Sequence, residues 1–277
     1  MKKAIIIIPT VAMLVAGACN MNDSEVKTSD ITFRYHNEAQ LYRLENSARV
    51  YDCDSDLRVV CRASLMLPEH FLGKKIGTLA DSIEVAAFDS IGGLADYEKA
   101  FTAAASNFGF HAVPLILTQP ERDSLAVISL GQTDYDGFYT VSGTVATMTP
   151  SLISYRVERS EYAPRAAHGD YSVKYINYDI DADSVLTLNN IFTAEGRREL
   201  PRLIARRARL MAPLIGETSI HALPAEGNFY ITPAGNIEFI YQPYEVASYA
   251  QGIIRVPFEP YSLIDHMTDF GKKAFDL

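Results

Sequence analysis

From Ile153 to Glu158 apolar and polar residues alternate without a break: Ile153, Tyr155 and Val157 against Ser154, Arg156 and Glu158. A period of two marks a strand with one buried face and one wet face. That commits this stretch to a sheet. Residues 31–37, 41–50 and 57–67 read as earlier strands, the last ended by Pro68, and 123–162 as a second run of strands. Pro233-Ala234-Gly235-Asn236 lies between two apolar runs and signals a hairpin. Residues 253–258 read as the last strand and 261–267 as a short final helix.

The helical period appears twice. Leu94, Tyr97, Phe101, Ala104, Ala105 and Phe108 share one face, and Gly109 supplies the stop. Leu200, Leu203, Ile204, Ala208 and Met211 form the stripe of a second helix near residues 195–211. Pro201 suits only a first turn, which puts the start near Arg198. Arg197, Arg198, Arg202, Arg206 and Arg209 lie mostly off the stripe and read as a solvated face. They are also the one basic concentration here, and suit phosphate or an anionic glycan. The element order predicts an α+β fold, with largely antiparallel sheets and helices packed on one face.

Of 277 residues, 48% are hydrophobic, enough for one large core or two modest ones. The absence of Trp beside 16 Tyr and 13 Phe suits a β-rich fold. A formal charge of −9 argues against nucleic acid as a partner.

Lys2 and Lys3 precede an apolar run from Ala4 to Val15, then Ala16, Gly17, Ala18 and Cys19. Basic start, short apolar stretch and small residues make a secretory signal over residues 1–18. Cysteine at the cut points to a bacterial lipoprotein, with acyl chains on Cys19 as the membrane anchor. Residues 19–30 read as a tether. The expected location is the bacterial envelope, on the periplasmic face or the cell surface. Cys53 and Cys61 then share an oxidising compartment, and the Asp54-Ser55-Asp56 turn makes them a candidate disulfide. Two separate buried thiols are the alternative. No histidine stands at ligand spacing, so neither a metal nor a cofactor is expected.

Three segments carry a family resemblance. The first is Gly143-Thr144-Val145 with Ser151-Leu152-Ile153-Ser154-Tyr155-Arg156-Val157. The second is Ala167-His168-Gly169, Tyr175-Ile176-Asn177-Tyr178-Asp179, Leu186-Thr187-Leu188 and Ile191-Phe192. The third is Phe229-Tyr230-Ile231-Thr232-Pro233, Gly235, Tyr241-Gln242-Pro243-Tyr244-Glu245-Val246-Ala247, Tyr249-Ala250 and Gly252. Together they resemble the extracytoplasmic domain shared by the anti-sigma factor RsiV and the non-catalytic part of the peptidoglycan deacetylase PdaC. The resemblance spans residues 137–263. It divides the chain into an N-terminal α+β portion, 31–135, and an RsiV-like domain, 136–277. It implies a non-enzymatic binding domain, with lysozyme or a peptidoglycan-associated ligand as partner. The sigma-binding segment and the metal-dependent catalytic domain of those proteins have no counterpart here.

Within that frame, Tyr244, Glu245, Ser248 and Tyr249 form a loop suited to binding, since tyrosine gives contact area at little entropic cost. The same residues can instead lock the loop, with Glu245 capping free amides. Ser248 stands where the family pattern has proline. His168 and Asp170 are the second group of candidate partner contacts. An enzyme reading places His168, Asp170 and Glu245 in one peptidoglycan-cleaving cleft. A scaffold reading requires an exposed apolar patch away from both loops.

Overall fold

Long alternating segments build one large sheet, and the computed structural model describes it through residues 25–27, 31–46, 57–88, 97–107, 109–127, 135–275 and 277. The expected signal, Cys19, most of the expected tether and Cys53 lie outside the described residues. In chain order the elements begin with β1 (Glu25–Lys27), β2 (Ile31–Asn46), β3 (Leu57–Phe71) and β4 (Lys74–Lys75). The helices α1 (Gly77–Phe88) and α2 (Tyr97–Asn107), β5 (Phe110–Pro114) and α3 (Gln119–Val127) follow. Then come β6 (Gly137–Met148), β7 (Leu152–Tyr162), β8 (Asp170–Asp179) and β9 (Ser184–Leu186). The last part holds α4 (Leu188–Ile191), α5 (Ala194–Ile215), β10 (Phe229–Ile231), β11 (Ile237–Tyr241), β12 (Ile254–Phe258) and α6 (Asp269–Ala274).

The strands up to β9 form a nine-stranded sheet in the order β1-β2-β3-β6-β7-β8-β9, with β4 added to β3 and β5 to β2. All pairings are antiparallel except β3 with β6. That parallel pair needs a crossover, which α1, α2, β5 and α3 supply. The strands β10-β11-β12 make a second, antiparallel sheet. The chain is thus α+β with antiparallel pairing dominant. Helices α1 and α2 cover one face of the large sheet. Leu125 of α3 packs with Ala39, Leu41 and Val60 in a separate cluster. Among the described residues no helix is long and apolar enough to cross a membrane.

Several local expectations change. Residues 31–46 are one strand, because Glu38, Ala39 and Gln40 keep their register with Ala63, Arg62 and Cys61. Pro68 does not end β3; it sits opposite Phe33 beside a bulge at Thr32/Phe33 that absorbs its missing donor. Helix α1 was not foreseen, and residues 123–127, expected to open the second run of strands, belong to helix α3 instead. Helix α5 starts at Ala194, ahead of Arg198, because the Thr193 side chain accepts from Gly196 N and caps it. Pro201 therefore lies inside the helix. Cys61 is a free thiol at 0% exposure, opposite Gln40 in β3. It is sealed in the core, and burial, then the Glu98 charge, raises its pKa far above the ordinary thiol value. Cys53, the other half of the candidate bridge, lies outside the described residues.

The first core also runs straight through the boundary expected at residues 135 and 136. Val59–Leu65 of β3 pair with Gly137–Gly143 of β6, and Tyr139, Val141, Tyr155 and Tyr178 join Leu65 and Ile83 in one cluster. The change of core falls later, between Val185, packed on the first cluster, and Leu188, part of the second. The second core fills the space between α5 and the small sheet, with Leu200 and Ile204 against Phe239 and Val256.

The two sheets meet at β8, which is buried on both faces. Ile176 and Tyr178 face α1, whereas Val173 and Tyr175 pack on Ile240 of the small sheet. This explains Ser154. Its strand alternates as expected, but Ser154 is 0% exposed, because the small sheet and not water lies over that face. Its hydroxyl donates to Asn177 Oδ1 at 2.6 Å. Asn177 then reaches the free edge of β10, donating to Phe229 O at 2.8 Å and accepting from Ile231 N at 3.3 Å. Asn228 returns the arrangement: Tyr175 N donates to its Oδ1 at 2.9 Å and its Nδ2 donates to Val173 O at 2.8 Å.

Removing a buried amide strands its partners without water. Asn177→Ala is expected to lower stability by about 2–3 kcal/mol in chemical denaturation; a loss within error would show that the sheets do not depend on it. At the β8–β9 turn, donation from Tyr178 and then from Thr78 holds the Asp183 carboxyl below its usual range. Its ionised form is therefore the one the fold favours. That contribution is complete above the unfolded pKa of about 4 and is lost as pH falls through the depressed folded value. Thermal melts of Asp183→Asn should show a flatter acid limb than the parent chain.

Candidate functional site

The β7–β8 loop and the β11–β12 loop are far apart in sequence, yet they meet at one surface. Each is tightened locally. In the first, Tyr162 OH donates to Ala166 O at 3.1 Å, and Arg165 takes φ 66°. In the second, Glu245 N donates to Gln242 O at 3.1 Å, and Tyr244 takes φ 67°. Left-handed backbone is unfavourable for non-glycine residues and is held by its surroundings. The loop ends at Gly252, φ 67°, where a Cβ would come within 2.8 Å of the Tyr171 hydroxyl.

These loops gather four rings. His168 stacks on Tyr249 with centroids 4.1 Å apart and planes 27° apart. Tyr171 meets Tyr249 edge-on at 5.7 Å, and Tyr244 lies 5.5 Å from Tyr249. His168 Nδ1 is 2.8 Å from Gly169 O, and Nε2 is 3.2 Å from the Tyr244 hydroxyl. A carbonyl can only accept, so Nδ1 carries the proton and Nε2 accepts from Tyr244 in the neutral ring. Tyr249 OH donates to the same Gly169 O at 2.5 Å. Shielding from water, then the neighbouring Tyr171 and Asp170, raises the Tyr249 pKa, so its hydroxyl stays a donor. Tyr244 is 64% exposed and crowns the cluster.

The other candidates serve the loops. Glu245 is fully engaged: Oε1 accepts from Ala225 N and Oε2 from Gln242 N, both at 2.8 Å. Asp170 Oδ1 accepts from Tyr171 N at 2.9 Å. Ser248 N and Oγ both donate to Gln251 Oε1 at 3.1 Å, and Gln251 Nε2 donates to Glu217 O, beyond the end of α5, at 2.8 Å. His168, Tyr244 and Tyr249 are thus brought together, whereas Glu245, Asp170 and Ser248 hold backbone. Tyr171 was missed as a site residue; its place three residues after His168, entering a strand, was the available signal. Of the two carboxylates of the enzyme reading, Glu245 holds amides with both oxygens, whereas Asp170 is exposed with Oδ1 on the neighbouring amide. Among the described residues there is no group of three or more His, Cys, Asp or Glu that could hold a metal ion.

A cleft of about 890 Å³ lies elsewhere, between α1, β8–β9 and the start of α5. None of the loop candidates lines it. Arg197 and Arg198 do.

Fold and site define an α+β protein whose two sheets present an aromatic loop cluster. A family model described as "Protein of unknown function (DUF3298)" matches residues 190–260, which include Tyr244 and Tyr249 but not His168. Two solved structures are similar. A DUF3298 family member from Bacteroides fragilis has a TM-score of 0.57 at 18% identity, over 88% of this chain and 96% of that one. A DUF3298 family protein from Pseudomonas aeruginosa has a TM-score of 0.53 at 14% identity, over 85% of this chain and 95% of that one. At these identities the likeness shows the fold. No curated protein matches the chain.

If Glu245 supports the loop and Tyr244 is presented by it, their substitutions separate. Glu245→Ala should cost about 1–3 kcal/mol of stability by freeing two amides. Tyr244→Ala should stay within about 0.5 kcal/mol. Equal losses in denaturant titrations would contradict this division.

Proposed function

We propose that this chain is a non-catalytic recognition protein of the bacterial envelope, tethered by acyl chains on Cys19. Its His168–Tyr244–Tyr249 cluster binds a wall-associated protein or glycan. The observation that carries this reading is the convergence of two distant loops on one exposed aromatic surface. Stacked rings with outward polar tips suit the apolar faces of sugars and the backbone of a protein partner. The RsiV-like resemblance makes lysozyme the first candidate. Glu245, held on both oxygens by backbone amides, agrees with a binding role for this loop.

The test is titration of the purified protein with lysozyme and with soluble muropeptides. Binding to one of them is expected, and Tyr244→Ala should weaken it about tenfold with an unchanged melting temperature. No binding to either at tens of micromolar would overturn the reading. A second reading, docking to another envelope protein, is favoured by Leu210 and Leu214. They lie one turn apart on α5 and are 71% and 85% exposed.

A further inference from the structure

The cleft at the junction of the two cores is built from both of them. Ala86 of α1 and Ile176 of β8 come from the first, and Leu188 and Phe229 from the second. Clefts of this size where two units meet commonly hold small molecules. Val85, Ile176, Val185, Leu186, Leu188 and Leu223 give it an apolar wall beside its polar residues.

Its charge is unevenly placed. Three cations line it, Lys174, Arg197 and Arg198, in a chain whose formal charge is −9. Two are already matched: Lys174 Nζ lies 2.5 Å from Glu226 Oε2, and Arg198 Nη2 lies 2.5 Å from Glu195 Oε1. Arg197 is different. It is half-buried, and among the described residues no carboxylate pairs with it. An anion in the cleft would give this guanidinium a partner. Ala194, in the first turn of the 22-residue helix α5, lines the same wall. The positive end of the helix therefore adds to the field at that point. Asp81 stands on the α1 side and disfavours an anion there, which fixes the polarity of an occupant.

We propose that this cleft binds an anionic amphiphile, its carboxylate or phosphate head on Arg197 at the start of α5 and its aliphatic body along Val85, Ile176, Leu188 and Phe229. The site is separate from the aromatic loop cluster, and neither depends on the other.

The experiment is calorimetric titration of the full chain with laurate and dodecyl phosphate below their micelle concentrations. Acetate and dodecyltrimethylammonium serve as the head-only and opposite-charge probes. Saturable one-to-one binding of laurate or dodecyl phosphate is expected, the preferred one identifying the head group. Acetate and the cation should bind at least about tenfold more weakly, since a desolvated charged hydrogen bond is worth at least that factor. Arg197→Ala should weaken binding by a similar factor. Val85→Trp, at a position 47% exposed on α1, should block the cleft without disturbing the core. Equal affinity for the cationic amphiphile would overturn the proposal. So would laurate and dodecyl phosphate binding that is unchanged in both variants while their melts match the parent, or no binding of either anion.

Discussion

Strand β8 ends its pairing with β9 at Asn177, and the edge it offers over residues 173–175 would otherwise carry unmet backbone donors and acceptors. The small sheet meets that edge with side chains. Asn228 takes Tyr175 N and Val173 O, and Gln242 takes Val173 N and O at 3.0 and 2.7 Å. In exchange, Asn177 serves the free edge of β10. Each sheet lends amides to the other's open edge. The junction is fixed by direction as well as by contact, which apolar packing alone would not ensure. Around it, Tyr175 and Tyr230 stack at 4.4 Å, and Arg255 links the Tyr175 hydroxyl to Glu238.

Both surfaces of interest follow from that junction. Gln242 is the residue from which the β11–β12 loop departs, so fixing its amide on Val173 sets where Tyr244 and Tyr249 emerge. The β7–β8 loop ends at the start of the same strand, which brings His168 to them. On the other side of β8, the angle between the two units leaves the space that α1 and the start of α5 line. One set of hydrogen bonds thus positions an exposed aromatic cluster and a sheltered cleft.

Much of this was legible in residue patterns. The alternation in β7, the apolar stripe of α5, the hairpin at Pro233-Ala234-Gly235-Asn236 and the α+β class rest on local periodicity and turn chemistry. The hairpin closes as expected, with Thr232 N donating to Asn236 O at 2.9 Å. Pairings between distant segments were not legible. Nothing near Ser154 says that a second sheet will cover it, and the seam suspected near residue 135 is crossed by the parallel β3–β6 ladder. Pro201 misplaced the start of α5, because the cap at Thr193 tolerates one lost bond further along.

The sequence by itself determined the alternation of β7, the stripe of α5 and the β10–β11 hairpin and named His168, Tyr244 and Tyr249, since strand period, helix period and aromatic loop content are local properties. Only the tertiary structure decided which of the candidates share a surface. It set Glu245 and Asp170 on backbone amides and placed Arg197 and Arg198 in the lining of a cleft. The reason is that burial and hydrogen-bond partnership depend on what packs from elsewhere in the chain, and here that is set by the amide exchange between β8 and the small sheet.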